Sequence, residues 1–165
     1  MAQDYSFDVT CNFDKQEFQN ALDQTRREIG TRFDFKGVLV EIELLDDNKL
    51  VIKTESDLKL TAVLDIIESK MIKRNLSLSI LDKSKQPETA SGGTIRKELK
   101  LINTLDSEQT KEIAKSIRNN FPKAKPIIQG DSVRVISKSK DELQAIMKTL
   151  KEEKSNLPLA FSNFK

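Results

Sequence analysis

Apolar and polar positions follow the same order twice along this chain. Residues 49–56, with the apolar run Leu50-Val51-Ile52, lead into a helical spacing of apolar residues over 60–67. Residues 132–139 lead into the same spacing over 143–150. Each copy also has a matching start upstream, at residues 13–17 and 105–109. A period of this length is too long for a solenoid repeat, so the pattern predicts two domains with one topology.

The first copy predicts the element order strand, helix, strand, strand, helix, strand. Strict alternation is typical of half-buried strands, and apolar residues three and four positions apart are typical of one helix face. Asp14 and Ser56 are placed to cap the two helices, with Glu17 completing a capping box and Gly30 supplying a stop. The predicted strands lie at residues 5–10, 38–44, 50–54 and 76–80, with a turn at Asp46-Asp47-Asn48.

The second copy predicts the same six elements. Asp106 with Gln109, and Ser139 with Glu142, form the capping-box pattern at its two helix starts. The predicted strands lie at residues 95–101, 124–128, 132–137 and 157–161, with a hairpin turn at Gln129-Gly130-Asp131.

The segment between the copies predicts the domain boundaries. Residues 82–93 are polar, rich in turn formers and without periodicity, which indicates a linker between a first unit at 1–81 and a second at 94–165. Each unit matches the split βαβ arrangement of ferredoxin-like α+β folds, a four-stranded antiparallel sheet with both helices on one face. By fold analogy, the helix-free face of each sheet is the expected binding surface.

Charge is unevenly shared between the two halves of the sequence. The chain carries 28 Lys+Arg against 26 Asp+Glu, but residues 1–81 hold 11 against 15 and residues 82–165 hold 17 against 11. This asymmetry predicts that an anionic ligand is steered toward the second half, with an ordinary solvated surface as the plainer explanation.

Composition also predicts where the protein works. No apolar run is long enough for a transmembrane helix, and the first residues lack the basic and apolar regions of a secretion signal. The single Cys11 can form no internal disulfide, which fits a reducing compartment. We therefore expect a cytoplasmic protein that does not bind a membrane.

The residues available for catalysis are few. The chain has no histidine, the residue that titrates most readily near neutral pH. Cys11 lies in a strand pattern without a histidine partner, so a packed thiol is the favoured interpretation over a nucleophile. Asp46-Asp47 could hold a divalent cation or simply form a turn, and no Walker or GxGxxG phosphate loop is present. These features predict a non-catalytic protein without a cofactor.

The segment Arg32-Phe33-Asp34-Phe35-Lys36 is the first candidate site. If it is extended, Phe33 and Phe35 point to one side while Arg32 and Lys36 point to the other. The aromatic pair would then stack on bases while the cations meet phosphate. The alternative is that both phenylalanines anchor a strand entry in the core.

The second candidate site is the hairpin that carries Gln129, Gly130, Arg134 and Lys138. Alternation places Arg134 on the strand face opposite Val133 and Val135, where a guanidinium could bind phosphate or stack on guanine. An ordinary turn with a solvated arginine is the alternative. Ser91-Gly92-Gly93 could also lay N–H groups against phosphate, although a flexible linker is the favoured interpretation there.

Several segments taken together closely resemble the bacterial YajQ family, and they span nearly the whole chain. They are Ser6-Phe7-Asp8, residues 32–36, residues 54–57, residues 128–135, residues 141–144 and the ending Pro158-Leu159-Ala160-Phe161-Ser162-Asn163-Phe164-Lys165.

The resemblance implies two ferredoxin-like domains that exchange their first strands, so that the strand near Phe7 pairs in the C-terminal domain. It also implies a nucleotide ligand such as a cyclic dinucleotide, GTP or ATP, with cyclic diguanylate effectors and RNA binders among the members described. Our leading hypothesis is a non-catalytic nucleotide-binding protein; an RNA-binding module and a protein-interaction adaptor are the alternatives.

Overall fold

The computed structural model describes residues 4–46 and 48–165. Asp47 of the predicted acidic turn, and the first three residues used in the secretion-signal argument, therefore lie outside the described residues. The chain divides into two compact units. Unit 1 joins the residues up to Asn12 to Asn103–Lys165, and unit 2 is Phe13–Ile102.

Four α-helices and nine strands occur in the described residues, giving an α+β protein with two antiparallel sheets. In chain order they are β1 (Tyr5–Cys11), α1 (Lys15–Thr31), β2 (Val40–Leu45), β3 (Lys49–Thr54), α2 (Asp57–Lys73), β4 (Leu81–Asp82), β5 (Glu88–Ala90), β6 (Thr94–Leu101), α3 (Ser107–Asn120), β7 (Lys125–Gln129), β8 (Ser132–Ser137), α4 (Lys140–Glu153) and β9 (Leu159–Ser162).

The sheet of unit 1 has the strand order β7-β8-β1-β9. Phe7 lies opposite Val135, and Val9 lies between Val133 and Phe161. Phe7, Val9, Val133 and Val135 are fully buried, and they share one face because alternate residues of a strand point the same way. The buried residues of α3 and α4, among them Ile113, Ile117, Leu143 and Ile146, complete this core.

The sheet of unit 2 has the order β2-β3-β6-β4, with β5 also paired to β6. Leu50 and Ile52 of β3 and Leu99 of β6 are fully buried. They form one core with Phe18 and Leu22 of α1 and with the apolar stripe of α2.

Two strands pair away from their sequence neighbours. β1 belongs to the sheet that holds β8 and β9, and β6 belongs to the sheet that holds β3 and β4. The compact units therefore differ from the sequence division at residues 1–12 and 94–102. Counted by these units, the charge is 12 Lys+Arg against 10 Asp+Glu in unit 1 and 16 against 16 in unit 2. The strong asymmetry of the sequence halves is therefore much weaker in the folded units.

The prediction of a strand at residues 76–80 is wrong. Leu78–Ile80 forms a 3₁₀ turn, which begins where the Ser77 hydroxyl accepts a hydrogen bond from the Ser79 N–H, and only Leu81–Asp82 is a strand. The segment predicted as a linker, residues 82–93, contains β5, which pairs with residues 94–96 of β6.

The predicted helix caps are confirmed at Asp14, Ser56, Asp106 and Ser139. The complete capping box forms at Asp106, where the Gln109 side chain accepts from the cap N–H. The other two predicted box partners bond elsewhere: Glu17 accepts from Asn20 and Arg74, and Glu142 accepts from Ser137. α1 continues through Gly30 to Thr31.

Candidate functional site

A cleft of about 660 Å³ opens in unit 2 where α1 ends and the chain turns into β2. Three cationic side chains line it, and no Asp or Glu is among its described lining residues. The lining includes Arg26, Ile29, Arg32, Phe33, Phe35, Lys36, Val38 and Val40. The cleft thus combines apolar walls with positive charge, a combination that suits an anion carrying an apolar or aromatic group.

The two phenylalanines of this segment do not point to one side. Residues Phe33–Phe35 form a 3₁₀ turn instead of an extended strand, so Phe33 is 88% exposed while Phe35 is only 4% exposed. The turn is fixed by a fork in which Arg32 Nε and Nη2 donate to the two carboxylate oxygens of Asp34, at 3.0 and 2.8 Å. The prediction of an aromatic pair on one face is therefore wrong.

Arg32 is the centre of the ion-pair network beside the cleft. Its Nη1 also donates to Glu28 at 3.4 Å, and Glu28 accepts from Lys70 Nζ at 2.8 Å. The hydrogen bond from Arg32 holds the pKa of Asp34 below its usual range, and Asp34 in turn raises the pKa of Arg32. Part of the charge of Arg32 is thus already compensated. Lys36 is exposed and forms no ion pair with a described residue.

The ring of Phe35 is occupied from within the protein. The Arg32 guanidinium carbon lies 5.5 Å from its centroid and Lys59 Nζ lies 5.2 Å from it, both within cation–π range. Lys59 Nζ also donates to the main-chain oxygen of Asp34. Phe35 is therefore an anchor for the turn, and Phe33 is the ring that remains open to a ligand.

The second candidate segment lies in unit 1. Gln129 pairs with Ser132 across a two-residue turn, and Gly130 adopts a φ of +63° there, a backbone region that glycine enters without strain. Gln129, Gly130 and Lys138 are exposed. The predicted hairpin is therefore confirmed.

Arg134 lies on the sheet face opposite the buried valines, as alternation predicts, but it already has an anionic partner. Its Nε donates to Asp8 Oδ1 at 2.9 Å, and Asn163 Nδ2 donates to Asp8 Oδ2 at 2.8 Å. The side chain of Asp8 is 8% exposed and that of Arg134 is 34% exposed. The hydrogen bond from Arg134 is the main reason that the pKa of Asp8 lies below its usual range. A phosphate would have to compete with this buried carboxylate.

Two further sequence candidates have structural roles. Cys11 is buried, and burial raises the pKa of its thiol to about 11, which confirms the packed-thiol interpretation. Ser91–Gly93 forms a 3₁₀ turn in which Gly92 and Gly93 have positive φ, and Thr94 Oγ1 donates to the Ser91 carbonyl at 2.8 Å.

The sequence candidates thus fall into two groups. Arg32, Phe33, Phe35 and Lys36 line one cleft of unit 2, while Gln129, Gly130, Arg134 and Lys138 belong to unit 1. Arg26 and Ile29 were not predicted as site residues. Positions 26, 29 and 30 follow helical spacing, which brings Arg26, Ile29 and Gly30 to the same side of α1. Asp8 was also not predicted as the partner of Arg134, because no local signal links residues 126 positions apart.

No described helix is long and apolar enough to cross a membrane. Within residues 4–46 and 48–165, no cluster of three or more Asp, Glu or Cys side chains is arranged to hold a metal ion.

Comparison with known proteins covers the whole chain. The family model described as "Nucleotide-binding protein YajQ-like" matches residues 5–165. A protein of Synechococcus sp. (strain JA-3-3Ab) named nucleotide-binding protein is 46% identical over 165 residues, which is 100% of both chains. Proteins with the same name from Leptospira biflexa serovar Patoc (44% identical, 100% of this chain and 99% of the relative) and Chloroflexus aggregans (46% identical, 96% and 95%) are similar to it as well.

Proposed function

Because the chain belongs to the family of YajQ-like nucleotide-binding proteins, we propose that it binds a nucleotide and catalyses no reaction on it. The ligand is a cyclic dinucleotide, with cyclic diguanylate as the first candidate, or a mononucleotide such as GTP or ATP. The unit 2 cleft is the proposed site.

The exposed ring of Phe33 beside three cations is the observation that carries this proposal. An exposed aromatic ring offers a base a stacking surface without displacing any packed group. Lys36 supplies positive charge for phosphate, and Arg26 adds to it, although its Nη1 already lies 2.9 Å from Asp23 Oδ1. Arg32 uses three of its five N–H donors on Asp34 and Glu28, which leaves two for a ligand. The cleft volume of about 660 Å³ falls within the range of ordinary ligand pockets.

Binding without catalysis agrees with the side chains present. The sequence holds no histidine, and the buried thiol of Cys11 is protonated at neutral pH because its pKa is about 11. The described lining of the cleft offers cations, hydroxyl and apolar groups, which bind phosphate but do not activate a nucleophile by themselves. We place this binding protein in the cytoplasm.

We further propose that each unit is a ferredoxin-like domain and that the two domains exchange their first strands. The support is the pairing of β1 with β8 and β9, together with the pairing of β6 with β3 and β4. In an exchange of this kind, each unit still contains four main strands and two helices.

Replacing Phe33 by Ala should weaken nucleotide binding about tenfold, because base–aromatic stacking is worth ~1–3 kcal/mol per base. The free energy of unfolding should stay nearly constant, since the side chain is 88% exposed. Titration calorimetry with cyclic diguanylate, GTP and ATP measures the first effect and urea unfolding measures the second. Leu58→Ala is the matched control, because Leu58 is 79% exposed on α2 and does not line the cleft.

The salt dependence of binding separates the alternatives. A mononucleotide or cyclic dinucleotide releases few counterions and gives a shallow plot of log affinity against log salt, whereas an RNA ligand gives a steep one. A steep slope with a short single-stranded RNA, together with no saturable binding of the three nucleotides, would make this an RNA-binding protein. If neither the nucleotides nor the RNA binds, the remaining hypothesis is a protein-interaction adaptor.

A further inference from the structure

Unit 1 contains a cleft of its own, about 260 Å³, between α4, the start of β1 and the residues that follow β9. Leu143, Met147 and Phe164 form its apolar part, with Tyr5, Lys140 and Lys165 around them. The residues of this cleft play no part in the nucleotide proposal above.

Phe164 gives the cleft an aromatic wall. Its ring packs on the fully buried Phe7, with centroids 6.2 Å apart and an angle of 30° between the planes. The residue nevertheless remains 60% exposed. One side of the ring is therefore supported by the core, while another is open and lines the cleft, as in a stacking platform for a planar group.

The charged side chains around the cleft have one sign. Lys140 and Lys165 are the only charged side chains among its described lining residues, and no Asp or Glu lies among them. Lys140 Nζ lies 5.0 Å from the centroid of the Tyr5 ring, which places this ammonium group beside the apolar wall. An anionic group bound between these lysines would be stabilised by both.

The cleft is held in shape by main-chain hydrogen bonds. The Ser6 N–H donates to the Lys165 oxygen and the Lys165 N–H donates to the Ser6 oxygen, each at 3.0 Å. Asn163, which adopts a φ of +54°, donates its side-chain N–H to Asp8 on the same strand. The segment carrying Phe164 is thus fixed to β1 on both sides of the ring, so a ligand would find the platform already ordered.

We propose that this cleft is a second ligand site, which binds a small molecule made of one planar ring and one anionic group. The ring stacks on Phe164 above Leu143 and Met147, and the anion lies between Lys140 and Lys165. The volume of about 260 Å³ limits the occupant to a single-ring compound, since drug-sized ligands use larger pockets.

Amide chemical shifts recorded during titration of the full chain test the proposal. Phenyl phosphate and benzoate distinguish a phosphate from a carboxylate ligand, benzamide lacks the charge, and inorganic phosphate lacks the ring. We expect saturable shifts at Ser6, Gln144 and Phe164 with phenyl phosphate or benzoate, and binding about tenfold weaker with benzamide or inorganic phosphate, because a charge-assisted contact and a stacking contact are then each lost.

Variants separate this site from general attraction to a basic surface. Lys140→Gln and Phe164→Ala should each weaken binding of the preferred probe several-fold. Lys148 is an exposed lysine of α4 outside the cleft, so Lys148→Gln should leave the affinity for the probe unchanged. Equal weakening by Lys140→Gln and Lys148→Gln, or the absence of saturable shifts at Ser6 and Phe164 at millimolar probe, would overturn the proposal. Phe33→Ala should not alter these shifts, so the result is independent of the nucleotide site.

Discussion

Replacing Phe7 by Ala should destabilise unit 1 by about 3–5 kcal/mol, the usual cost of truncating a buried phenylalanine. Phe7 is fully buried and lies opposite Val135, with its ring 5.5 Å from that of Phe161 in an edge-on arrangement. The cavity would therefore form among residues of unit 1, although Phe7 is close in sequence to unit 2. Hydrogen exchange of the main-chain amides measures where protection is lost.

The matched variant is Phe18→Ala, because Phe18 is equally buried but belongs to the core of unit 2. Phe7→Ala should lower amide protection in β8 and β9, and Phe18→Ala should lower it in β2 and β3. Greater loss of protection in β2 and β3 on changing Phe7 would mean that β1 belongs with residues 1–81, and the proposed strand exchange would then be wrong.

Removing one partner of the Asp8–Arg134 pair should cost about 1–3 kcal/mol of unfolding free energy, the usual penalty for an unsatisfied buried polar group. The two partners are not equivalent. Arg134→Ala leaves a carboxylate that is 8% exposed with Asn163 as its remaining described donor, whereas Asp8→Asn leaves a guanidinium that is 34% exposed and can bind water. Arg134→Ala should therefore destabilise unit 1 more than Asp8→Asn, as urea unfolding can measure.

The same pair makes stability depend on pH in a definite direction. The pKa of Asp8 is lowered in the folded protein, chiefly by the hydrogen bond from Arg134, so the unfolded chain binds its proton more readily. The stabilisation is therefore present above the unfolded pKa of about 3.9 and is lost as the pH falls through the lower folded value. Urea unfolding from pH 7 downward should show the difference between the native protein and Asp8→Asn shrinking below about pH 4.

Glu152→Gln is the control for this pH series, because Glu152 is an exposed carboxylate in the last turn of α4. A difference between the native protein and Asp8→Asn that persists unchanged into acid would show that the charge of Asp8 is not what stabilises the fold. Any binding test of Arg134→Ala should include a stability measurement, because weaker ligand binding by this variant can arise from a destabilised sheet.

Local patterns were sufficient for most of the elements but not for the loop at the candidate site. The four helix caps and both hairpins depend on residues within a few positions of each other, so the sequence predicts them. Arg32 to Lys36 also alternates, but the fork from Arg32 to Asp34 closes a 3₁₀ turn and buries only Phe35. Alternation over only five residues does not distinguish an extended strand from a 3₁₀ turn.

Contacts between residues distant in sequence could not be predicted from local patterns either. Alternation correctly places Arg134 and Asp8 away from the buried faces of their strands, yet it carries no information about which strand lies beside which. Strand pairing also decides which charged residues belong to the same unit, so the charge asymmetry between the two halves of the sequence is not kept in the folded units. A family resemblance, unlike periodicity, implied the pairing of the strand near Phe7.

The pairing of β1 has a consequence for the order in which the chain folds during synthesis. Asp8 contacts Arg134, which lies 126 positions later in the sequence, and Asn163, which lies 155 positions later. All residues of unit 2 lie between Asp8 and these two partners in the sequence. Unit 2 can therefore complete its sheet while β1 has no partner, and contacts of such long separation form slowly. Until β8 and β9 emerge from the ribosome, the segment carrying Phe7 and Val9 lacks its pairing strands, so its apolar side chains and main-chain groups are open to other chains.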